Sequence, residues 1–251
     1  MQRYVLQLSY KGTHYFGWQR QNGHISVQEK IESVLSQLHS NQPIEITGCG
    51  RTDTGVHASC YFAHFDSDLL FDTEQLCFKM NLMLPEDIAI RNIQVASPDF
   101  NARFSAISRT YEYTIHKQKN PFLSEVSWYH RADLDIEKIN QACKIMMRHK
   151  DFECFSKVHT DVSTFICNIS VAEWFITDQG YLFRITANRF LRNMVRAVTG
   201  TMIDVGLGKI NLKEFESILQ SGDRGKAGTS VPAQGLNLVN VAYPVDLISV
   251  L

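Results

Sequence analysis

Residues 3–10 read RYVLQLSY, and apolar side chains occupy alternate positions along this segment. Alternation of this kind is typical of a β-strand with one buried face. After an aromatic loop, Ser26 and Glu29 form a capping-box pattern ahead of apolar residues at helical spacing. The sequence therefore predicts a strand followed by an amphipathic helix.

The same reasoning extends through the rest of the first half of the chain. Strands are predicted over residues 44–48, 59–65 and 88–95, and a helix from Asp72 or Thr73 to about residue 80. The resulting order, β-α-β-β-α-β, is the signature of a ferredoxin-like unit.

The second half repeats the pattern. The predicted elements are a strand over 108–116, a helix capped by Asp135, a hairpin of 164–175 and 181–186, helices over 190–205 and 211–219, and a strand over 236–243. We therefore predict an α+β protein of two ferredoxin-like halves, residues 1–105 and 106–251, with mainly antiparallel sheets. A central cleft between such halves is a common place for a site.

Composition is that of a globular protein without an obvious polyanion partner. The 251 residues are 44% hydrophobic, and 25 Lys and Arg stand against 26 Asp and Glu. No segment approaches the ~20 apolar residues that cross a bilayer, and the start of the chain lacks an apolar signal core. We expect a cytoplasmic protein with no membrane association, whose six dispersed cysteines are free thiols.

The most unusual stretch is residues 48–58, GCGRTDTGVHA, in which three glycines surround Arg51 and Asp53. Glycine permits positive φ and close approach of a ligand to the backbone, which suits a binding or catalytic loop. The same residues are also typical of a tight turn in which Asp53 bonds the backbone near Gly55. Composition alone leaves both interpretations open.

Metal and nucleotide sites are not predicted. His57, Cys60 and His64 lie close together in the sequence, but a strand puts His57 on the face opposite the other two. The two glycine-rich motifs that bind nucleotide phosphates, Gly-x-x-x-x-Gly-Lys and Gly-x-Gly-x-x-Gly, do not occur in the chain.

A basic segment is the second candidate. Arg189, Arg192 and Arg196 share one face of the predicted helix, and residues 180–200 hold four arginines and no acid. These arginines form either a solvated face or a wall that binds phosphates. Two aromatic residues, Tyr111 and Trp18, are either core side chains or platforms on which bases stack.

Together these residues resemble the tRNA pseudouridine synthase A family. Ordered matches cover residues 10–19 (YKGTHYFGWQ), 50–58 (GRTDTGVHA), 100–106 (FNARFSA) with 109–111, parts of 151–156, Phe190 with 194–196, and 235–244. The chain departs from the family pattern at Lys11, where Asp is common, and at Arg192-Asn193, where histidines are frequent.

The resemblance implies an isomerase that converts uridine to pseudouridine in the anticodon stem-loop of tRNA, as a homodimer and with no cofactor or metal. It implies that Asp53 is the catalytic aspartate beside the ribose C1′ and that Arg51 takes the place of the flipped base. Tyr111 then stacks on the uracil. Arg196 is the cation that keeps Asp53 ionised, because a neighbouring positive charge favours the carboxylate.

Two other functions remain alternatives. A non-catalytic RNA-binding module can also be built from ferredoxin-like halves, although the aromatic strand signature of the RNA-recognition domain is absent. A hydrolase of the glycosidic bond generally needs two carboxylates, and only Asp53 has a suitable setting.

Overall fold

The structure is a computed structural model that describes residues 1–157 and 163–248. It is a mixed α+β protein with two compact units. One unit contains Met1–Ser108 and the chain from Leu238 onward, and the other contains Arg109–Asn237. Within the described ranges, no helix has the length and apolar character needed to span a membrane.

The first unit has the predicted β-α-β-β-α-β order. Its elements are β1 (Gln2–Tyr10), α1 (Val27–Leu38), β2 (Thr47–Gly48), β3 (His57–Ser67), α2 (Thr73–Met83) and β4 (Ile88–Val95). β1 pairs antiparallel with both β3 and β4, and β2 pairs antiparallel with β3. This arrangement confirms the predicted α+β class with antiparallel pairing.

Helix starts in this unit follow the predicted caps. The Ser26 hydroxyl accepts a hydrogen bond from the Glu29 N–H at 3.2 Å, and Asp72 accepts from the N–H groups of Glu74 and Gln75. These side chains satisfy backbone donors that have no partner inside the helix. The buried side chains of α1 then pack on the core, with Leu35 fully enclosed.

The C-terminal strand, β9 (Leu236–Ala242), crosses from one unit to the other. The predicted halves assigned all of it to the second half, whereas its residues from Leu238 lie with the first unit, next to β3 in the strand order. The Ile107 N–H donates to the Ala242 carbonyl at 2.8 Å, and the Tyr243 hydroxyl donates to the Ala102 carbonyl at 2.6 Å.

The second unit contains β5 (Ser108–His116) from residue 109 onward, followed by β6 (Trp128–Tyr129), α3 (Ile136–Met146), β7 (Ile169–Thr177), β8 (Gly180–Ala187), α4 (Met194–Gly206) and α5 (Leu212–Ser221). Three of these strands pair antiparallel in the order β5-β8-β7, and the short strand β6 pairs parallel with β5. The Asp135 cap of α3 and the Asn211/Glu214 capping box of α5 are both formed as predicted.

Two predicted boundaries were wrong in this unit. β7 begins at Ile169 and not at residue 164, because the preceding residues pair elsewhere: the Phe152 N–H donates to the Phe165 carbonyl and the Cys167 N–H to the Lys150 carbonyl. Helix α4 begins at Met194 and not at residue 190.

The late start of α4 overturns the predicted arginine face. Asn193 has φ 65° and lies in the left-handed region, which interrupts a right-handed helix and which Asn tolerates better than most residues. Arg189 and Arg192 therefore precede the helix and do not share a helical face with Arg196.

Candidate active site

The glycine-rich loop between β2 and β3 is anchored on both sides of Arg51. The Tyr61 hydroxyl donates to the Gly50 carbonyl, and the hydroxyls of Tyr10 and Thr52 lie 2.9 Å apart in a buried hydrogen bond. Arg51 itself is exposed. Two tyrosines of the sheet thus fix the residues before and after this exposed cation, Tyr61 through the Gly50 carbonyl and Tyr10 through the Thr52 side chain.

Asp53 begins a tight turn. The Val56 N–H donates to the Asp53 carbonyl at 3.1 Å, and Gly55 has φ 79°, a conformation that glycine adopts without strain. The Gly55 N–H donates to the Tyr15 carbonyl at 3.3 Å. The turn and site interpretations are therefore compatible: a fixed turn presents a half-buried carboxylate at Asp53.

The loop after β1 supports this turn through close backbone contact. The Gly12 N–H donates to Nδ1 of His57 at 2.9 Å, and a Cβ on Gly12 would overlap the Val56 carbonyl. Gly17 has φ 81°, and a Cβ on this residue would likewise overlap the Thr52 carbonyl. Only residues without a side chain fit at these two glycine positions, which explains the glycines of the segment that resembles the family's first loop.

Trp18 belongs to the core of this unit. It is 3% exposed and stacks on Tyr61 with a ring-centroid distance of 4.0 Å. Of the two interpretations of this residue, the core one is correct and the base-stacking one is wrong.

The histidines near this loop have structural partners. Nδ1 of His57 accepts from Gly12 as described, and Nδ1 of His64 accepts from the Ala102 N–H at 3.1 Å. Burial lowers the pKa of His64 and raises the pKa of the Cys60 thiol. Among the described residues, no group of three His, Cys, Asp or Glu side chains could hold a metal ion.

In the second unit, Tyr111 lies on β5 opposite Ile185 of β8. Its ring contacts Phe190 edge-on, with centroids 5.3 Å apart, and it is half-buried. Tyr113, two residues further along the same face, is fully buried and donates to the Pro232 carbonyl at 2.7 Å. Burial raises the pKa of Tyr113. This face of β5 is therefore buried in the core at Tyr113 and partly accessible to solvent at Tyr111.

Arg196 lies in the first turn of α4, and hydrogen bonds join it to a neighbouring segment. Its Nε donates to the Val231 carbonyl at 2.8 Å, and the Val231 N–H donates to the Arg196 carbonyl at 3.2 Å. Because the guanidinium is planar, fixing Nε orients the whole group.

No sequence pattern predicted the role of the segment over residues 224–231. This segment packs against α4 so closely that a Cβ on Gly200 would overlap the Thr229 carbonyl, and the Gly228 N–H donates to Thr201 Oγ1 at 2.9 Å. A glycine in the interior of a predicted helix is the signal that could have revealed this contact, since it often marks close approach of another backbone.

The remaining arginines of the basic segment have different surroundings. Arg184 on β8 forms an ion pair with Glu112 on β5 at 2.6 Å, which offsets its charge. Arg189 is half-buried and Arg192 is exposed. The four arginines of residues 180–200 therefore do not form one continuous phosphate-binding surface.

The candidate residues fall in two groups. Arg51 and Asp53 share the loop of the first unit, and Tyr111 and Arg196 belong to the second unit. The pairing of Arg196 with Asp53 joins residues of different units and stays a prediction.

Comparison with known proteins gives a family match over most of the chain. A family model described as tRNA pseudouridine synthase matches residues 8–105 and 142–244. Arg51, Asp53 and Arg196 lie inside these ranges, and Tyr111 lies between them.

Proteins named tRNA pseudouridine synthase A are similar to the whole chain. One from Bacteroides thetaiotaomicron is 45% identical over 99% of this chain and 93% of its own length. One from Parabacteroides distasonis is 44% identical over 100% of this chain and 99% of its own, and one from Francisella tularensis subsp. holarctica is 38% identical over 97% and 95%.

Proposed function

The chain belongs to the tRNA pseudouridine synthase family, and we propose on this premise that it isomerises uridine to pseudouridine in the anticodon stem-loop of tRNA. The observation that carries the proposal is the loop that holds Asp53, which lies in a matched range and is fixed on both sides by buried partners. A catalytic carboxylate needs such support, because small misplacements of a reacting group slow the chemistry strongly.

Asp53 is the catalytic residue in this proposal. The reaction breaks the C1′–N1 bond of the uridine and forms a C1′–C5 bond, while C5 loses a proton and N1 gains one. Atoms and electrons balance within the nucleotide, so the reaction needs no redox partner. The carboxylate acts at C1′, either by adding to it or by stabilising the positive charge that develops when the base departs.

Arg51 fills the space of the flipped base. A uridine in stacked RNA must leave the stack before its C1′ can be reached, at a cost of about a few kcal/mol. Arg51 is exposed, and the residues before and after it are anchored to Tyr61 and Tyr10. The side chain can therefore enter the RNA while its backbone stays fixed.

Tyr111 and Arg196 complete the proposed site. The partly accessible ring of Tyr111 suits stacking on uracil, since aromatic rings pair with bases at a gain of about 1–3 kcal/mol. Arg196 is the cation that the family resemblance assigns as the partner of the Asp53 carboxylate, since charged pairs of this kind make the stronger hydrogen bonds.

We also propose that the protein works in the cytoplasm as a homodimer that binds tRNA. The family resemblance supports the homodimer and the tRNA substrate, and the cytoplasmic location rests on the sequence features given above. Light scattering on the purified protein tests the dimer, and a monomer at the concentration of the activity assay contradicts it.

An assay on unmodified tRNA tests the function. The protein is incubated with the transcript, and pseudouridine is detected as primer-extension stops at bulky base adducts. We expect a stop in the anticodon arm that Asp53→Asn abolishes while tRNA binding survives. Asp178→Asn, at an exposed hairpin turn, is the matched control and keeps full activity.

Two other outcomes contradict the proposal. Release of free uracil would identify a hydrolase of the glycosidic bond. Binding of tRNA by the wild-type protein without any chemistry would favour the non-catalytic RNA-binding module.

A further inference from the structure

A polar cluster lies next to the hydrogen bonds that hold Arg196. Ser230 immediately precedes Val231, the residue whose carbonyl accepts from Arg196 Nε. The Ser230 hydroxyl accepts from Asn193 Nδ2 at 2.6 Å and from Arg224 Nη2 at 3.0 Å. One hydroxyl thus receives two donors from different elements.

The two donors approach Ser230 from elements that are themselves fixed. Asn193 is the left-handed residue at the start of α4, one helical turn before Arg196. Arg224 also donates to the Gly228 carbonyl at 3.1 Å, so its guanidinium group binds both Gly228 and Ser230. The cluster therefore ties the segment to the beginning of the helix that carries Arg196.

These contacts have a consequence for Arg196. The position of its guanidinium depends on where the Val231 carbonyl lies, and the Val231 backbone is held on one side by Arg196 and on the other by Ser230. Without the Ser230 hydroxyl, two partly buried donors lose their acceptor, and the residues next to Val231 lose one of the contacts that fix them against α4.

We propose that Ser230, with its donors Asn193 and Arg224, is a positioning residue for Arg196. The cluster acts through Arg196 and does not touch the reacting nucleotide. This inference rests on the proposed function, in which Arg196 is the cationic partner of the catalytic carboxylate.

The test separates turnover from binding in Ser230→Ala. We expect kcat to fall about tenfold, as is typical when one fixing hydrogen bond is lost, while KM for tRNA changes less than about twofold. Ser230→Thr keeps the hydroxyl and should restore kcat to within about twofold of wild type. Ser217→Ala removes a hydroxyl from an exposed face of α5 in the same unit and is the matched control.

A second variant guards against a folding defect in Ser230→Ala. Asn193→Gly keeps the left-handed backbone conformation and removes only the donor to Ser230. It should lower kcat in the same direction. Asn193→Gly should also have no effect on kcat in an Arg196→Lys background. Lysine lacks the guanidinium that the Val231 carbonyl orients, so loss of the Ser230 contacts changes nothing further there.

Parallel assays of Arg196→Ala distinguish the two possible failures. Wild-type turnover in Arg196→Ala overturns the role of Arg196 in the proposed function. An inactive Arg196→Ala beside a fully active Ser230→Ala overturns the inference alone. A loss of kcat in Ser230→Ala that Ser230→Thr does not reverse also overturns it.

Discussion

The Tyr10 hydroxyl and the Thr52 side-chain oxygen form a buried 2.9 Å hydrogen bond that holds the residue next to Asp53. Tyr10 is the last residue of β1, so the sheet itself fixes the loop. The bond stabilises the loop by about 1 kcal/mol net, as neutral hydrogen bonds do, and its loss leaves a buried polar group with one partner fewer.

Thr52→Val should therefore destabilise the protein and slow catalysis. The free energy of unfolding is expected to fall by about 1–3 kcal/mol, because the valine keeps the shape of threonine but offers no hydrogen-bonding group to Tyr10. Urea denaturation measures this change, and kcat should fall more than tRNA affinity.

The double variant Tyr10→Phe/Thr52→Val is the sharper test of this pair. Since both polar partners are replaced, it should be more stable than the sum of the single changes predicts. Additive losses would show that the two hydroxyls do not stabilise each other. Tyr129→Phe, at an exposed tyrosine, is the control for the loss of a phenol.

Gly17→Ala should be more damaging than Gly23→Ala. Both glycines have positive φ, 81° and 77°, so both substitutions meet the same backbone strain of about 1–2 kcal/mol. A Cβ at Gly17 also overlaps the Thr52 carbonyl, whereas a Cβ at Gly23 meets no atom within 4 Å.

The difference in unfolding free energy between these two variants measures the cost of the overlap between a Cβ at residue 17 and the Thr52 carbonyl. We expect Gly17→Ala to lose about 1–3 kcal/mol more than Gly23→Ala, in line with overpacking of a filled space. Thermal or urea unfolding measures it, and turnover should fall only for Gly17→Ala. Equal losses would mean that φ strain alone matters at both positions.

Sequence periodicity predicted the fold well where one face of an element is buried. The strands 88–95 and 108–116 have the bounds that were predicted, and the caps at Ser26, Asp72 and Asp135 are formed. These features depend on neighbours in the sequence, so local patterns contain the information.

The errors occur where distant residues decide. Asn193 stops the helical pattern of residues 190–205, and its partner Ser230 lies far along the chain. The residues of β9 from Leu238 onward belong to the first unit. Their place next to β3 depends on a partner far away in the sequence, which no local pattern encodes. For the site, the family resemblance selected Arg51, Asp53, Tyr111 and Arg196, but it gave no reason for Val231 to hold Arg196.

Protein stability should fall as the pH drops below about 6.5, partly through His64. Burial, and to a smaller degree the charge of Arg3, lower the pKa of His64 from 6.5, while Asp66 acts in the opposite direction. Its Nδ1 accepts a hydrogen bond from Ala102, which a proton on that nitrogen would break. The unfolded chain therefore takes up a proton at a higher pH than the folded chain, which favours unfolding.

His64→Gln tests this contribution. The variant removes the titration, so its free energy of unfolding should depend less on pH than that of wild type as the pH falls below about 6.5. Burial lowers the pKa of His116 and His130 as well, and some pH dependence should remain. An unchanged slope in His64→Gln would contradict the prediction.

Arg192→Ala and Arg196→Ala should separate binding from turnover, because the two residues differ in their surroundings. Arg192 is exposed and lies before α4, so a phosphate contact there adds affinity and leaves the chemistry unchanged. We expect weaker tRNA binding, a salt dependence of binding reduced by about one counterion, and a wild-type kcat.

Arg196→Ala should instead lose kcat by about a hundredfold, comparable to the removal of one stabilising donor from an active site, with little change in tRNA affinity. The fold should persist, because the Nε bond to Val231 contributes about 1 kcal/mol and the backbone bond from the Val231 N–H to the Arg196 carbonyl remains. Filter binding at several salt concentrations and single-turnover kinetics measure the two effects. A fall in affinity without a fall in turnover for Arg196→Ala would make it an RNA-binding residue like Arg192 and would remove it from the chemistry at Asp53.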